Sequence, residues 1–157
     1  MYSLGTTRFN SKTWLEHERW KINNNYTGSI YTTPVKIKDK VPLGIFIFVL
    51  EMDNDKNKIK GIGLIKNKID TEKQYNIYDD RNYNRYGYIS KYHIYRYELS
   101  EEEKKTIRIL DALVFKGEMH LKRGQGITLV PKWIENNRHI NFIEIFKNMF
   151  KLRYDKE

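Results

Sequence analysis

The residues best suited to chemistry in this 157-residue chain are tyrosines interleaved with basic side chains between residues 74 and 97. Aromatic rings stack on bases while Arg and Lys meet phosphates, so this combination favours a nucleic-acid interface. Alternate tyrosines of a strand can also fill a core, because tyrosine has a high β propensity. We favour that simpler interpretation for three of them: Tyr88, Tyr92 and Tyr95.

Signals for catalysis or metal binding are weak. The chain has no cysteine, and its four histidines include no pair at the i, i+4 spacing of a helical metal site. A metal-dependent nuclease needs convergent carboxylates and a lysine, and four residues could supply them: Asp79, Asp80, Glu118 and Lys122. Adjacent acids in a polar loop are more often a solvated turn. We therefore expect a protein that is not an enzyme and needs no metal or cofactor.

The composition points to a polyanionic partner. Lys and Arg number 29 against 20 Asp and Glu, which gives a formal net charge of +9. Such a surplus attracts phosphate backbones, although AT-rich coding drift also enriches lysine. No stretch is apolar enough to span a membrane, and the length suits one domain over residues 1–157. We expect a soluble, intracellular protein.

The clearest local prediction is an antiparallel hairpin. An apolar run within Val41–Met52 predicts a strand covered on both faces, and Lys58–Lys66 returns after a polar turn. Gly61 and Gly63 share one face of the second strand, where they permit close approach of a backbone or a ligand, or a bend in a barrel wall.

Helices and short strands surround this hairpin. Thr13 and Glu16 have capping-box spacing and predict a first helix, and Ser100 and Glu103 predict a second that Gly117 ends. Further segments complete the prediction: an extended stretch over Ser29–Val35, a strand after Arg85, short strands over Met119–Lys122 and Ile127–Val130, and a closing helix over Ile140–Leu152. Strands and helices in this mixture predict an α+β fold.

The order of these parts resembles a known family. Three short motifs carry the resemblance: Ile30-Tyr31-Thr32-Thr33, Gly61-Ile62-Gly63 and the stretch Lys122-Arg123-Gly124-Gln125-Gly126-Ile127. Over roughly residues 9–150 the layout is similar to the YTH domain and its EVE relatives in the PUA-like superfamily. The resemblance implies a small β-barrel flanked by helices that binds RNA or DNA and reads a modified base such as N6-methyladenine.

The same resemblance implies roles for individual residues. Tyr31 corresponds to the first wall of an aromatic cage, and Tyr78 and Tyr83 have the spacing of the remaining walls. Thr32 and Asn82 are candidate hydrogen-bonding partners of the base. Four cations are candidates for the flanking phosphates: Arg81, Arg85, Lys122 and Arg123. The chain has Tyr where the family has Trp, and Gly replaces both acidic residues of the late motif.

A third function class stays open beside the reader and the nuclease. An exposed tyrosine loop can also bind a polypeptide, which would make the chain a protein-interaction module. A protein of that class would bind no oligonucleotide at about 0.15 M salt, where phosphate contacts are already weakened by screening.

Overall fold

A computed structural model describes residues 1–116 and 120–155 and confirms an α+β fold with a mixed sheet. The strands are β1 (Tyr2–Phe9), β2 (Ser29–Thr33), β3 (Phe46–Asp53), β4 (Lys58–Lys66), β5 (Tyr86–Ser90), β6 (Tyr92–Tyr95) and β7 (Thr128–Leu129). The helices are α1 (Ser11–Asn23), α2 (Glu101–Phe115), α3 (Lys132–Glu135) and α4 (Phe142–Tyr154), with 3-10 turns at Arg81–Asn84 and Arg96–Glu98.

The prediction of a small β-barrel is wrong in that the strands do not close into a barrel. One sheet has five strands in the order β6-β4-β3-β1-β7, and β2 pairs with β5 in a separate two-stranded sheet. The outer strands of the larger sheet do not pair with each other in the described chain, so this sheet stays open. The β3–β4 hairpin is confirmed as antiparallel, whereas β1 runs parallel to β3.

The N-terminal strand β1 was not predicted. Because this strand ends at Phe9, the first helix begins earlier in the chain than predicted. Asn10 caps α1 directly after β1: its side-chain oxygen accepts the backbone N–H of Thr13 at 2.8 Å. The Thr13 hydroxyl in turn accepts the backbone N–H of Asn10 at 2.9 Å. The capping box is therefore Asn10 with Thr13 rather than Thr13 with Glu16, and α1 begins at Ser11.

Two apolar clusters lie on opposite faces of the larger sheet, because side chains of a strand alternate between faces. On β3, Phe48 and Leu50 pack with α2 and α4, whereas Ile47 and Val49 pack with β2 and β5. The prediction of a strand covered on both faces is confirmed. Tyr88 lies in the second cluster with 1% of its surface exposed, as expected of a core residue.

In the C-terminal third of the chain, the predicted helices agree with the structure better than the predicted strands do. The Ser100–Glu103 capping box is confirmed, and α4 begins two residues later than expected. The predicted helix end at Gly117 lies outside the described residues, as does Met119 of one predicted short strand. The other short strand is reduced to β7. No helix in the described part of the chain has the length and apolarity needed to cross a bilayer.

Candidate nucleic-acid interface

A hollow of about 300 Å³ lies where the C-terminal ends of β1 and β2 approach the tyrosine loop. Its wall includes Thr32 from β2, Asn54 from the turn after β3, and Gln125 from the loop before β7. Tyr78 and Tyr83 complete the wall on the loop side. The structure thus brings together three of the five predicted base-binding residues, and the volume is at the lower end of the range for small-molecule sites.

The two tyrosines of the hollow form a perpendicular pair. Their ring centroids lie 6.1 Å apart, with 87° between the ring planes. Tyr83 is 40% exposed and Tyr78 is half-buried. Burial, together with the nearby carboxylates of Glu51, Glu16 and Glu18, raises the pKa of Tyr78, so its phenol stays neutral. A planar group stacked on one ring would meet the edge of the other.

Asn84, a buried residue that the sequence analysis missed, holds Tyr78 in place. Its side-chain oxygen accepts the backbone N–H groups of Ile77 at 3.2 Å and of Tyr78 at 3.0 Å, and its amide donates to the Tyr78 carbonyl at 2.7 Å. The Thr32 hydroxyl donates to the same oxygen at 3.4 Å. Asn residues in polar loops often bond nearby backbone in this way, which was the available signal.

Asn82, the residue predicted instead, does not line the hollow. It is exposed, and its backbone N–H donates to the Asp80 carboxylate at 3.0 Å at the start of the 3-10 turn. The prediction of Asn82 as part of the same site as Tyr78 and Tyr83 is therefore not supported by the lining of the hollow.

Asn84→Ala is expected to lower the free energy of unfolding by about 2 kcal/mol, since it leaves buried backbone groups of Ile77 and Tyr78 without partners. Chemical denaturation followed by tyrosine and tryptophan fluorescence measures this. Asn82→Ala, a matched change on the exposed side of the same turn, is expected to stay within about 0.5 kcal/mol of the parent. Equal stability of the two variants would contradict the positioning role of Asn84.

Tyr31 does not belong to the hollow. It is 2% exposed, and its hydroxyl donates to Glu51 Oε2 at 2.5 Å. Because neighbouring residues of a strand face opposite sides, Thr32 reaches the hollow while Tyr31 turns toward the larger sheet. The predicted cage therefore loses its first wall.

Glu51 is a fully buried carboxylate with two hydrogen-bonding partners in the described chain. Besides Tyr31, His93 Nε2 lies 2.9 Å from its Oε2. Burial alone would raise the pKa of Glu51, but the charge and hydrogen bond of His93, the charge of His17 and the Tyr31 hydroxyl outweigh it and lower the pKa to about 2. Gly63 provides the space, because a Cβ there would overlap the Tyr31 hydroxyl oxygen. Close approach, rather than a bend in a barrel wall, thus explains the glycine.

Basic side chains lie at one side of the hollow. Arg8 of β1 lines it, and its Nη1 donates to the Lys122 carbonyl at 3.3 Å. The Asn54 amide donates to the same carbonyl at 2.9 Å, which ties the Lys122–Gly126 loop to the hollow. Lys122 is half-buried and Arg123 is exposed. Arg8 was not predicted as a site residue, because the strand β1 that places it at the hollow was not predicted.

The other two predicted phosphate contacts lie on the tyrosine loop. Arg81 is exposed at the start of the 3-10 turn that contains Tyr83. Arg85 follows that turn and lines a neighbouring groove rather than the hollow. The four predicted cations therefore divide into two loops on different sides of the hollow.

Known proteins give no independent guide to this geometry. No protein-family model, curated protein or solved structure matches the chain. The resemblance to YTH and EVE domains therefore remains a hypothesis that depends on layout and short motifs.

The carboxylates considered for a nuclease do not meet as a cluster in the described part of the chain. Asp79 has an exposed side chain, and its Oδ2 lies 3.9 Å from Lys12 Nζ. Asp80 instead caps the 3-10 turn. Glu118 lies outside the described residues. Across residues 1–116 and 120–155, no group of three His, Cys, Asp or Glu side chains could hold a metal ion.

Proposed function

We propose that this protein binds nucleic acid without catalysing a reaction and holds a single base in the hollow beside Tyr78 and Tyr83. The base is methylated or otherwise modified, with N6-methyladenine as the leading candidate. The observation that carries the proposal is the convergence of both tyrosines and Thr32 on one hollow that Arg8 also lines. The order of strands and helices around it supports a divergent, open PUA-like fold.

The lining favours a neutral base. Hydroxyl and amide groups dominate its polar part, and no Asp or Glu of the described chain lines it. A carboxylate would be needed to offset the charge of a cationic methylated base, because a buried charge requires a partner. Tyr83, the more exposed ring, is positioned to stack, with Tyr78 at the edge of the base.

Phosphates flanking the base would meet cations in the wall of the hollow and on the loops beside it. Arg8, Lys122 and Arg123 lie on the β1 side, and Arg81 lies on the tyrosine loop. Such contacts position a strand without reading its sequence, whereas the hollow supplies selectivity. A base enters such a hollow from a single strand or after flipping out of a duplex.

Tyr83→Ala is expected to weaken oligonucleotide binding about 5- to 160-fold, since stacking on an aromatic ring contributes about 1–3 kcal/mol per base. Fluorescence anisotropy with labelled RNA and DNA strands, each with and without one central N6-methyladenine, measures both affinity and preference. The loss should be larger for the modified strand.

Tyr97→Ala is the matched control, because Tyr97 is 76% exposed and outside the hollow. Its affinity should equal that of the parent. Equal losses for Tyr83→Ala and Tyr97→Ala, or parent protein that binds no strand at about 0.15 M salt, would overturn the proposal. Cleavage of the strand in Mg²⁺ would contradict its non-catalytic part.

A further inference from the structure

A second groove of about 440 Å³ adjoins the hollow and has no role in the function proposed above. Thr32 lines both. The groove is further lined by Asp70 and Tyr75 and by three residues that act together: Lys36, Arg85 and Tyr86. It lies on the β5 side of β2, since Gly87 of β5 also lines it.

One aromatic ring of this groove holds two cations. Lys36 Nζ lies 5.4 Å from the centroid of the Tyr86 ring, and the guanidinium carbon of Arg85 lies 5.5 Å from it. Both cations are exposed, while the ring is half-buried. Cation–π contacts at exposed sites contribute about 0.5–1 kcal/mol each, enough to orient the cations without withdrawing them from solvent. We call these three residues the Lys36–Tyr86–Arg85 clamp.

The clamp lies one strand away from the hollow. Thr33, which lines the hollow, is the cross-strand partner of Tyr86, and Thr32 is the partner of Gly87. Paired strands are about 4.7–4.9 Å apart, and a nucleic-acid strand advances at least about 3.4 Å per nucleotide, which is the value for stacked bases. One or two nucleotides therefore reach from the hollow to the clamp.

We propose that the Lys36–Tyr86–Arg85 clamp binds the phosphate of the nucleotide next to the one in the hollow, and that the second groove is a subsite for single-stranded nucleic acid. This proposal depends on the proposed function of the hollow. A base in the hollow and a neighbour in the groove lie on either side of Thr32, which separates bases that a duplex would keep stacked.

The charges that line the groove fix which part of the nucleotide lies where: Asp70, Glu72 and Lys73 together carry a formal charge of −1, against +2 for Lys36 and Arg85. Asp70 accepts the Tyr75 hydroxyl at 2.6 Å and the backbone N–H of Glu72 at 3.0 Å. These hydrogen bonds lower the pKa of Asp70, which stays negatively charged. A phosphate is repelled from that end of the groove, so the phosphate lies at the clamp and the base lies toward Tyr75 and Asp70.

The test compares the salt dependence of binding for parent and Lys36→Gln/Arg85→Gln protein, with a labelled single strand that carries one central N6-methyladenine. Single strands lose about 0.7 in the slope of log K against log salt for each phosphate contact removed. If each cation contributes one contact, the double variant should have a slope shallower by about 1.4. Lys105→Gln/Arg108→Gln on α2 removes the same charge from exposed side chains and should leave the slope unchanged.

Free N6-methyladenosine, which has no phosphate, should bind the parent and the Lys36→Gln/Arg85→Gln variant equally. Tyr86→Leu keeps both cations but removes the ring that orients them, and should weaken strand binding by about two- to fivefold. If the double variant keeps the parent slope while Tyr83→Ala still weakens binding, the subsite is wrong and the hollow stands. If the parent binds no strand, the proposed function fails first.

Discussion

Glu51→Gln is expected to lower the free energy of unfolding by about 3 kcal/mol at neutral pH, because it removes one member of a buried, hydrogen-bonded charged group. Glu51 has no exposed surface, and both its carboxylate oxygens lie within 3.1 Å of His93 Nε2. The amide that replaces it is neutral, and with its oxygen at the position of Oε2 its NH2 group would take the place of Oε1, 3.1 Å from His93 Nε2. Lys21, a 3% exposed lysine whose charge interacts with Glu51, would also lose compensation.

The same substitution predicts a particular pH dependence. The pKa of Glu51 falls from 4.5 to about 2 on folding. The unfolded chain therefore binds more protons than the folded chain in that window, and the stabilisation by the carboxylate is present above pH 4.5 and is lost as the pH falls toward 2. The difference in stability between parent and Glu51→Gln should shrink over this window.

Urea denaturation at a series of pH values measures both effects. Glu102→Gln is the matched control, because its side chain is 83% exposed beside Lys105, and it should change stability by less than about 0.5 kcal/mol at every pH. A Glu51→Gln variant as stable as the parent would show that the buried carboxylate contributes nothing. A difference that stays constant with pH would show that its charge does not matter.

The buried carboxylate also explains why the set of tyrosines around the hollow was only partly predictable. Tyr78 and Tyr83 are close in the chain, so their meeting follows from a single loop, and the sequence analysis found it. Tyr31 faces inward, where its hydroxyl donates to Glu51, a carboxylate that interrupts the apolar run of β3 and needs donors in the core. A lone Glu in such a run was a visible signal, but its partners are distant in sequence and only topology identifies them.

Strand β1 shows the same limit for the fold. The β3–β4 hairpin was predictable because its two strands are neighbours with a strong apolar pattern. Strand β1 pairs in parallel with β3 across more than thirty intervening residues and buries small or polar side chains such as Ser3, Thr6 and Thr7. Neither alternation nor an apolar run marks it. Because β1 was not predicted, its contribution to the wall of the hollow through Thr7, Arg8 and Phe9 was not predicted either.

Gly63→Ala is expected to destabilise the fold by about 3 kcal/mol, the upper part of the usual range for overpacking a well-packed core. Gly63 lies in β4, where it pairs with Val49 of β3 on one side and with His93 of β6 on the other. An added Cβ would overlap the Tyr31 hydroxyl oxygen and approach Ser29 Oγ to 2.5 Å. The Tyr31 side chain cannot move away from the added Cβ without breaking its hydrogen bond to Glu51.

Gly87→Ala in β5 separates this overlap from the general effect of placing alanine in a strand. The nearest atom to its added Cβ is a ring carbon of Tyr75 at 3.3 Å, and Tyr75 is half-buried and able to shift. We expect a change below about 1 kcal/mol for Gly87→Ala in thermal or urea unfolding. Equal destabilisation by the two substitutions would contradict the claim that overlap with Tyr31 makes Gly63→Ala the more destabilising.

A double-mutant cycle with Tyr31→Phe identifies the atom responsible. Tyr31→Phe alone should be destabilising, because Glu51 loses a donor in the core. In the Gly63→Ala background the same change removes the oxygen that collides with the new methyl group, so the double variant should be more stable than the sum of the two losses by about 1–3 kcal/mol. Additive losses would mean that Gly63 serves Ser29 or the backbone rather than Tyr31. Coupling of the expected sign would establish that Gly63 makes room for the side chain that turns away from the hollow, and so leaves the hollow to Thr32.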